Sequence, residues 1–126
     1  MAGLNVRRKA TTGVALLVFC AGLVLSACGS DPSAANHAKI VKAACVKIAA
    51  VLSDGPDPSA DPVGYAEAQI LPLSKIKVRD ATLQTAIHYL DVEYRLFYQT
   101  NGAPSASRAV KAAMKIVDVY CPGVGS

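Results

Sequence analysis

The sequence predicts an all-α protein, a small antiparallel bundle of about four helices. Apolar residues recur with a period near 3.6 through most of the chain after residue 30, and no segment shows the alternation typical of a β-strand. Aspartates stand where helices would begin, and Gly- and Pro-containing stretches separate the periodic segments. The chain has 126 residues, of which 52% are hydrophobic, which is enough for one small domain.

The first helix is expected over Ser33–Leu52, because Asp31 followed by Pro32 is a favourable N-terminal cap. Its lysines fall on one side, and the stretch Asp54–Pro58 forms the loop that ends it. At 100° per residue the opposite side is apolar, and it carries Ile40, Val41, Ala44, Cys45, Ile48, Val51 and Leu52.

The second helix is expected to begin at Asp61-Pro62, again a capping aspartate followed by proline. Its predicted inner face carries Tyr65, Ala68 and Ile70. Pro72 should end or kink this helix, because proline has no N–H group and clashes with the preceding turn. The sequence leaves open whether Leu73–Arg79 continues as helix or forms a connector.

The third helix, expected over Asp80–Thr100, has the clearest pattern. The side chains of Asp91 and Arg95 are expected to pair on its outer face, and Asn101-Gly102 is a strong stop signal. A heptad-like apolar stripe indicates packing in an antiparallel bundle, and it consists of Leu83, Ile87, Leu90, Tyr94 and Phe97. If Tyr89, Val92 and Leu96 remain exposed, they form an apolar patch large enough to bind a partner.

The fourth helix is expected from Pro104 to Tyr120, with Pro122-Gly123 ending it. Its basic residues face water. The predicted inward side consists of Ala106, Ala109, Val110, Ala113, Val117, Tyr120 and Cys121. Cys121 therefore ends one inward stripe, whereas Cys45 lies within another.

The first 27 residues differ from the rest and have the layout of a helical signal peptide. Arg7, Arg8 and Lys9 form a positive start, and an uncharged apolar stretch runs from about Thr11 to Leu25. These cations account for three of the thirteen basic residues, and every acidic residue comes later in the chain. The rest of the chain is therefore nearly neutral, which gives no indication of a nucleic-acid partner.

The tetrapeptide Leu25-Ser26-Ala27-Cys28 resembles the lipobox of bacterial lipoproteins, in which an aliphatic and two small residues precede a cysteine. The resemblance implies that residues 1–27 are removed and that a diacylglyceryl group is attached to the sulfur of Cys28. The protein would then be anchored by lipid to the cell membrane on its extracytoplasmic side, with residues 28–35 as a tether and 36–126 as the helical domain. The composition resembles that of small actinobacterial envelope lipoproteins of unknown function.

Two other interpretations of the leader stay open. The uncharged run from Ala10 to Ser30 just reaches the roughly 20 residues of a membrane-spanning helix. Alternatively, an ordinary signal peptide is cut near Ala27 and leaves Cys28 as a free thiol.

The four cysteines reduce to one candidate pair. Cys20 lies in the leader and Cys28 in the lipobox, so Cys45 and Cys121 remain. In an exported protein these two are expected to form a disulfide, because each lies on an inward face and neither fits a redox or zinc spacing. In the chain-entropy model such a bond stabilises the fold by about 4.5 kcal/mol.

No residue pattern predicts catalysis, a metal site or a cofactor. His37 falls near the apolar face of the first helix and His88 on the outer face of the third, and nothing in their spacing brings them together. Asp91 and Glu93 are two residues apart and point in different directions, so they make a poor acid/base pair. There is no GxSxG motif and no Gly-rich phosphate loop.

The sequence therefore favours a non-enzymatic protein that acts by binding. The expected partners are the membrane, through the lipid on Cys28, and an unknown envelope protein or hydrophobic ligand. One alternative is a carrier of a lipid or haem, which requires a cavity between helices. Another is a structural or regulatory subunit of an envelope complex.

Overall fold

The computed structural model describes residues 31–125, which form four α-helices and contain no β-strand. The helices are α1 (Pro32–Leu52), α2 (Pro62–Lys75), α3 (Ala81–Gln99) and α4 (Pro104–Tyr120). The predicted all-α fold with four helices is confirmed. The expected signal peptide 1–27, Cys20 and Cys28 lie outside the described residues.

Aspartate side chains determine where three of the four helices begin. Asp31, Asp61 and Asp80 each accept a hydrogen bond from a backbone N–H in the first turn of the helix that follows. The donors are the N–H groups of Ser33, Gly64 and Leu83, at 2.9, 2.8 and 2.7 Å. Each cap satisfies a donor that the helix cannot pair internally. α4 begins at Pro104 without a side-chain cap.

The helix α3 lies between α2 and α4, and it contributes the largest share of the core. Its predicted apolar stripe is buried as expected. α1 adds fewer buried residues, and its inward side chains reach the core only from Val41 onward. The largest fully buried apolar side chains are Ile48, Leu73, Leu83, Ile87, Leu90 and Val117.

A disulfide joins Cys45 of α1 to Cys121 at the end of α4, which confirms the predicted pairing. The two Cα atoms are 5.3 Å apart, and the cysteines lie 76 positions apart in sequence. Cys121 is buried, and Cys45 packs against the core from a half-buried position. The bond therefore ties the first helix, which has the fewest packing contacts, to the last.

The helix α2 continues beyond Pro72 to Lys75, so the possibility that Pro72 ends it is wrong. Interior proline costs about 3 kcal/mol, but one more turn buries Leu73 and brings Ile76 into the core. Burial of each such side chain contributes roughly 1.5–3 kcal/mol. The backbone then becomes extended at Ile76.

The predicted inner face of α2 is partly wrong. Ala68 is exposed, and Tyr65 and Ile70 are only half-buried. The fully buried positions are Ala66, Gln69 and Leu73. The amide of Gln69 donates to the carbonyl of Asp54 at 2.8 Å, so a polar residue that fastens the α1–α2 loop occupies this face.

The expectation that Asp91 lies on the outer face of α3 is also wrong. Asp91 is 5% exposed and Glu93 is 9% exposed, because neighbouring helices cover both flanks of α3. The predicted pairing is present, with Arg95 Nε 3.1 Å from Asp91 Oδ2. Asp91 and Glu93 do lie on different sides of the helix, as their spacing predicts.

The helix α1 begins at Pro32, inside the range 28–35 that was expected to be a tether. Residues 32–39 are all exposed, so the first two turns extend beyond the core. His37 is exposed rather than packed on an apolar face, and its Nε2 lies 2.6 Å from Oδ2 of Asp80. This contact holds the projecting part of α1 against the start of α3.

Candidate functional site

The predicted lipidation residue, Cys28, precedes the described chain by three positions. Because α1 begins at Pro32, only residues 29–31 separate the cysteine from a rigid helix. The end of the bundle that contains the start of α1 is called the anchor end below.

The three residues singled out on α3 are exposed. Tyr89, Val92 and Leu96 are 38%, 42% and 43% accessible, and their spacing places them on one strip of the helix. The packing of α3 explains this exposure, because α2 covers one flank and α4 the other, while this strip lies on the side of α3 away from the core and borders α4 only through Tyr89.

Side chains of α4 extend this strip. An open groove of about 480 Å³ lies between the two helices, and Tyr89, Ile116 and Tyr120 line it together with Thr85. Ile116 and Val119 are themselves exposed and lie one turn apart. These five residues form what we call the apolar face: Tyr89, Val92, Leu96, Ile116 and Val119.

Two exposed cations of α4, Arg108 and Lys115, lie on the side of the helix next to Val119. Lys111 lies on another side of α4, where it lines a groove with Tyr94. Neither Arg108 nor Lys115 pairs with a carboxylate within residues 31–125. Their charges are therefore available to a molecule that approaches the apolar face.

A buried carboxylate lies between the exposed strip and α4. Glu93 follows Tyr89 by one turn, on the flank of α3 that faces α4, and its Oε2 is buried without a hydrogen-bond partner. Removing such a group from water without a hydrogen bond is costly. The sequence pattern did not indicate this residue, because a single apolar stripe does not show that both flanks of α3 are covered.

The other aromatic residues have a structural role. Tyr65 and Tyr94 meet edge to face with ring centroids 6.1 Å apart, and the Tyr65 hydroxyl donates to the carbonyl of Leu52 at 2.6 Å. Burial, reinforced by the neighbouring Tyr65, raises the pKa of Tyr94 well above its usual value. Tyr94 and Phe97 thus belong to the core, whereas Tyr98 is exposed.

The structure does not bring the candidate titratable residues together. His37 contacts Asp80, whereas His88 is exposed in the middle of α3. Hydrogen bonds from Leu83 N–H and then from His37 lower the pKa of Asp80. Within residues 31–125 no group of three or more His, Cys, Asp or Glu side chains could hold a metal ion.

Among the described helices, none combines the length and hydropathy that crossing a membrane requires. No protein-family model matches this chain, and no curated protein or solved structure matches it. The features of this chain that bear on its function are therefore the apolar face and the segment around Cys28.

Proposed function

We propose that this protein is a non-catalytic lipoprotein of the cell envelope, held on the membrane by lipid on Cys28, and that it binds a partner protein through the apolar face. The observation that carries the binding proposal is the exposure of Tyr89, Val92 and Leu96 on one strip of α3, where Tyr89 lines a groove with Ile116 of α4. Single exposed apolar residues are ordinary on protein surfaces, but several grouped on neighbouring helices are typical of interaction sites.

The sequence around Cys28 supports the proposed anchor. A charged start, an apolar stretch and the lipobox-like residues Leu25–Cys28 occur in the order that export and lipidation require. A diacylglyceryl group supplies two acyl chains, and two chains hold a protein on a membrane lastingly where one does not. The short segment 29–31 would keep the bundle close to the bilayer surface.

The composition of the apolar face indicates the chemistry of the partner. Aromatic and aliphatic side chains at its centre fit an apolar surface from which water is excluded. The unpaired cations Arg108 and Lys115 beside it favour a partner with carboxylates at matching positions, which would accelerate association and select the correct partner.

Photo-crosslinking in native cells tests this binding proposal. The variant Leu96→Glu places a negative charge within the apolar face, and Val46→Glu places the same charge on an exposed aliphatic position of α1, 63% accessible. We expect a reproducible crosslinked protein for the wild type and for Val46→Glu, and its loss for Leu96→Glu. Equal capture by both variants, or no reproducible partner for the wild type, would overturn the assignment of this face.

The second candidate function is a carrier for a hydrophobic small molecule such as a lipid or haem. The groove between α3 and α4 favours it, since a volume of about 480 Å³ lies within the range of small-molecule sites. Protein extracted from its native membrane and analysed by mass spectrometry should then contain a stoichiometric lipid or haem. Recovery of the protein without such a species would argue against the carrier function.

A further inference from the structure

A second feature of the surface, distinct from the apolar face, is a cleft between α1 and the connector from α2 to α3. Asn36, Ile40 and Lys47 of α1 face Lys77 and Arg79 of the connector across an open volume of about 340 Å³. No acidic side chain lines it. We call this feature the basic cleft.

The charges of the basic cleft are not neutralised by the protein. Lys77 Nζ donates to the carbonyl of Ser74 at 3.1 Å, and no cation of the cleft pairs with a carboxylate in the described part of the chain. The nearby Asp80 carboxylate already accepts hydrogen bonds from the N–H of Leu83 and from His37. The cleft thus combines three unpaired cations with a void wide enough for a phosphate group.

Charge is distributed unevenly along the bundle. α1 runs away from the anchor end and α2 runs back toward it, so the connector with Lys77 and Arg79 lies at the anchor end. Lys39, Lys42 and Lys75 add exposed cations there. The opposite end contains the α1–α2 loop, whose charged residues are Asp54, Asp57 and Asp61. Asp31 and Asp80 cap helices at the anchor end, but the cations there outnumber them, so an anionic surface would attract this end more strongly than the other.

The distance from Cys28 places the basic cleft near the bilayer if the cysteine carries lipid. Residues 28–31 span at most about 10 Å when extended. From Asp31 to Asn36 the helix rises roughly 7.5 Å, at 1.5 Å per residue. The nearer end of the cleft is then within about 18 Å of the anchoring residue, which is close enough for Lys77 and Arg79 to meet lipid headgroups.

We propose that the basic cleft binds the phosphate of anionic phospholipids in the membrane that holds the protein, and so fixes the orientation of the bundle on that membrane. Arg79 offers a planar guanidinium that matches phosphate oxygens, and Lys47 and Lys77 add compact charges. Lysine and arginine side chains close to an anionic leaflet each strengthen its binding. The proposal goes beyond the proposed function and depends on it only for the location of the membrane near Cys28.

Vesicle binding by unlipidated protein tests the cleft without the lipid anchor. Residues 28–126 with Cys28→Ser retain all four helices, and circular dichroism checks the fold of every variant. Phosphatidylcholine vesicles with roughly 30% phosphatidylglycerol are compared with phosphatidylcholine alone by co-sedimentation. We expect binding to the anionic vesicles only. The pair Lys77→Glu/Arg79→Glu should weaken it by more than about tenfold, because two cations at the surface become anions.

The matched control is Arg108→Glu/Lys111→Glu, which makes the same change of net charge on α4, outside the cleft. We expect this control to weaken vesicle binding by less than about threefold, a general charge effect. Equal losses for the two pairs, or no binding by the parent protein, would overturn the proposal. Displacement by millimolar inorganic phosphate, at ionic strength matched with NaCl, would identify a site for free phosphate and refute the membrane assignment.

Whether Cys28 is lipidated does not affect the vesicle result, since the tested protein has serine at that position. A failure of the cleft proposal is therefore distinguishable from a failure of the proposed anchor, because the anchor is tested by the chemical state of Cys28.

Discussion

Breaking the bond between Cys45 and Cys121 should destabilise the bundle strongly. The cysteines lie 76 positions apart in sequence, and in the chain-entropy model a closed loop of this length constrains the unfolded chain by about 4.5 kcal/mol. That is comparable with the whole stability of many small domains. For a domain of this size it corresponds to a fall in Tm of roughly 20–30 °C.

The assay is thermal unfolding of residues 29–126, followed by far-ultraviolet circular dichroism with and without a thiol reductant. In this chain Cys45 and Cys121 are the only cysteines, so reduction changes the bond and nothing else. The double variant Cys45→Ala/Cys121→Ala is the control, and the reductant should leave its Tm unchanged. A wild-type Tm that moves by less than about 5 °C on reduction would falsify the reasoning, since it corresponds to only about 1 kcal/mol.

Three further outcomes concern the core and its titration. In urea denaturation, Ala113→Leu should lower the free energy of unfolding by about 1–3 kcal/mol, because Ala113 is fully buried and has no room for a larger side chain. A similar loss for the exposed control, Ala112→Leu, would contradict this reason. Leu90→Ala should lower the free energy of unfolding by about 2–5 kcal/mol, whereas the exposed control Val92→Ala should lower it by less than about 0.5 kcal/mol. Equal urea midpoints for the two variants would refute this difference. Burial raises the pKa of Tyr94, so the contribution of the neutral phenol to stability is fully present below about pH 10 and decreases as the pH rises further. Between pH 9 and 11 the Tm of Tyr94→Phe should therefore fall less than the Tm of the wild type. Equal falls in the two Tm values would exclude this role of Tyr94.

Local signals were sufficient to predict the helices and the disulfide. Aspartate caps at Asp31, Asp61 and Asp80 act within a few residues of their own positions, so the chain itself indicates where those helices begin. The pairing of Cys45 with Cys121 followed because only two cysteines remained outside the leader and the lipobox. The stripe on α3 was long and regular, and such patterns are the most dependable in a sequence.

The features that were missed depend on tertiary packing. Asp91 and Glu93 are buried because α3 has a neighbour on each flank, which a helical wheel of one helix cannot show. α2 continues past Pro72 because the additional turn buries Leu73, and the benefit of that burial depends on the rest of the core. The contact between His37 and Asp80 joins residues that are 43 positions apart.

The two candidate surfaces also depend on tertiary packing. The exposure of Tyr89, Val92 and Leu96 was anticipated only as a condition, since their burial depends on whether another helix covers that strip. The basic cleft was not anticipated, because Lys47 lies on α1 whereas Lys77 and Arg79 lie on a connector whose conformation the sequence left open. Only the fold brings these three charges to one place.

The chemical state of residue 28 decides whether lipid holds this protein on the membrane. The most direct measurement is the intact mass of the N-terminal peptide, obtained by digesting protein purified from its native membrane. We predict a peptide that begins at Cys28 and carries the mass of a diacylglyceryl group on its sulfur, with or without a further acyl chain on its amine. A chain that retains residues 1–27, or a Cys28 with an unmodified thiol, would contradict the proposed anchor.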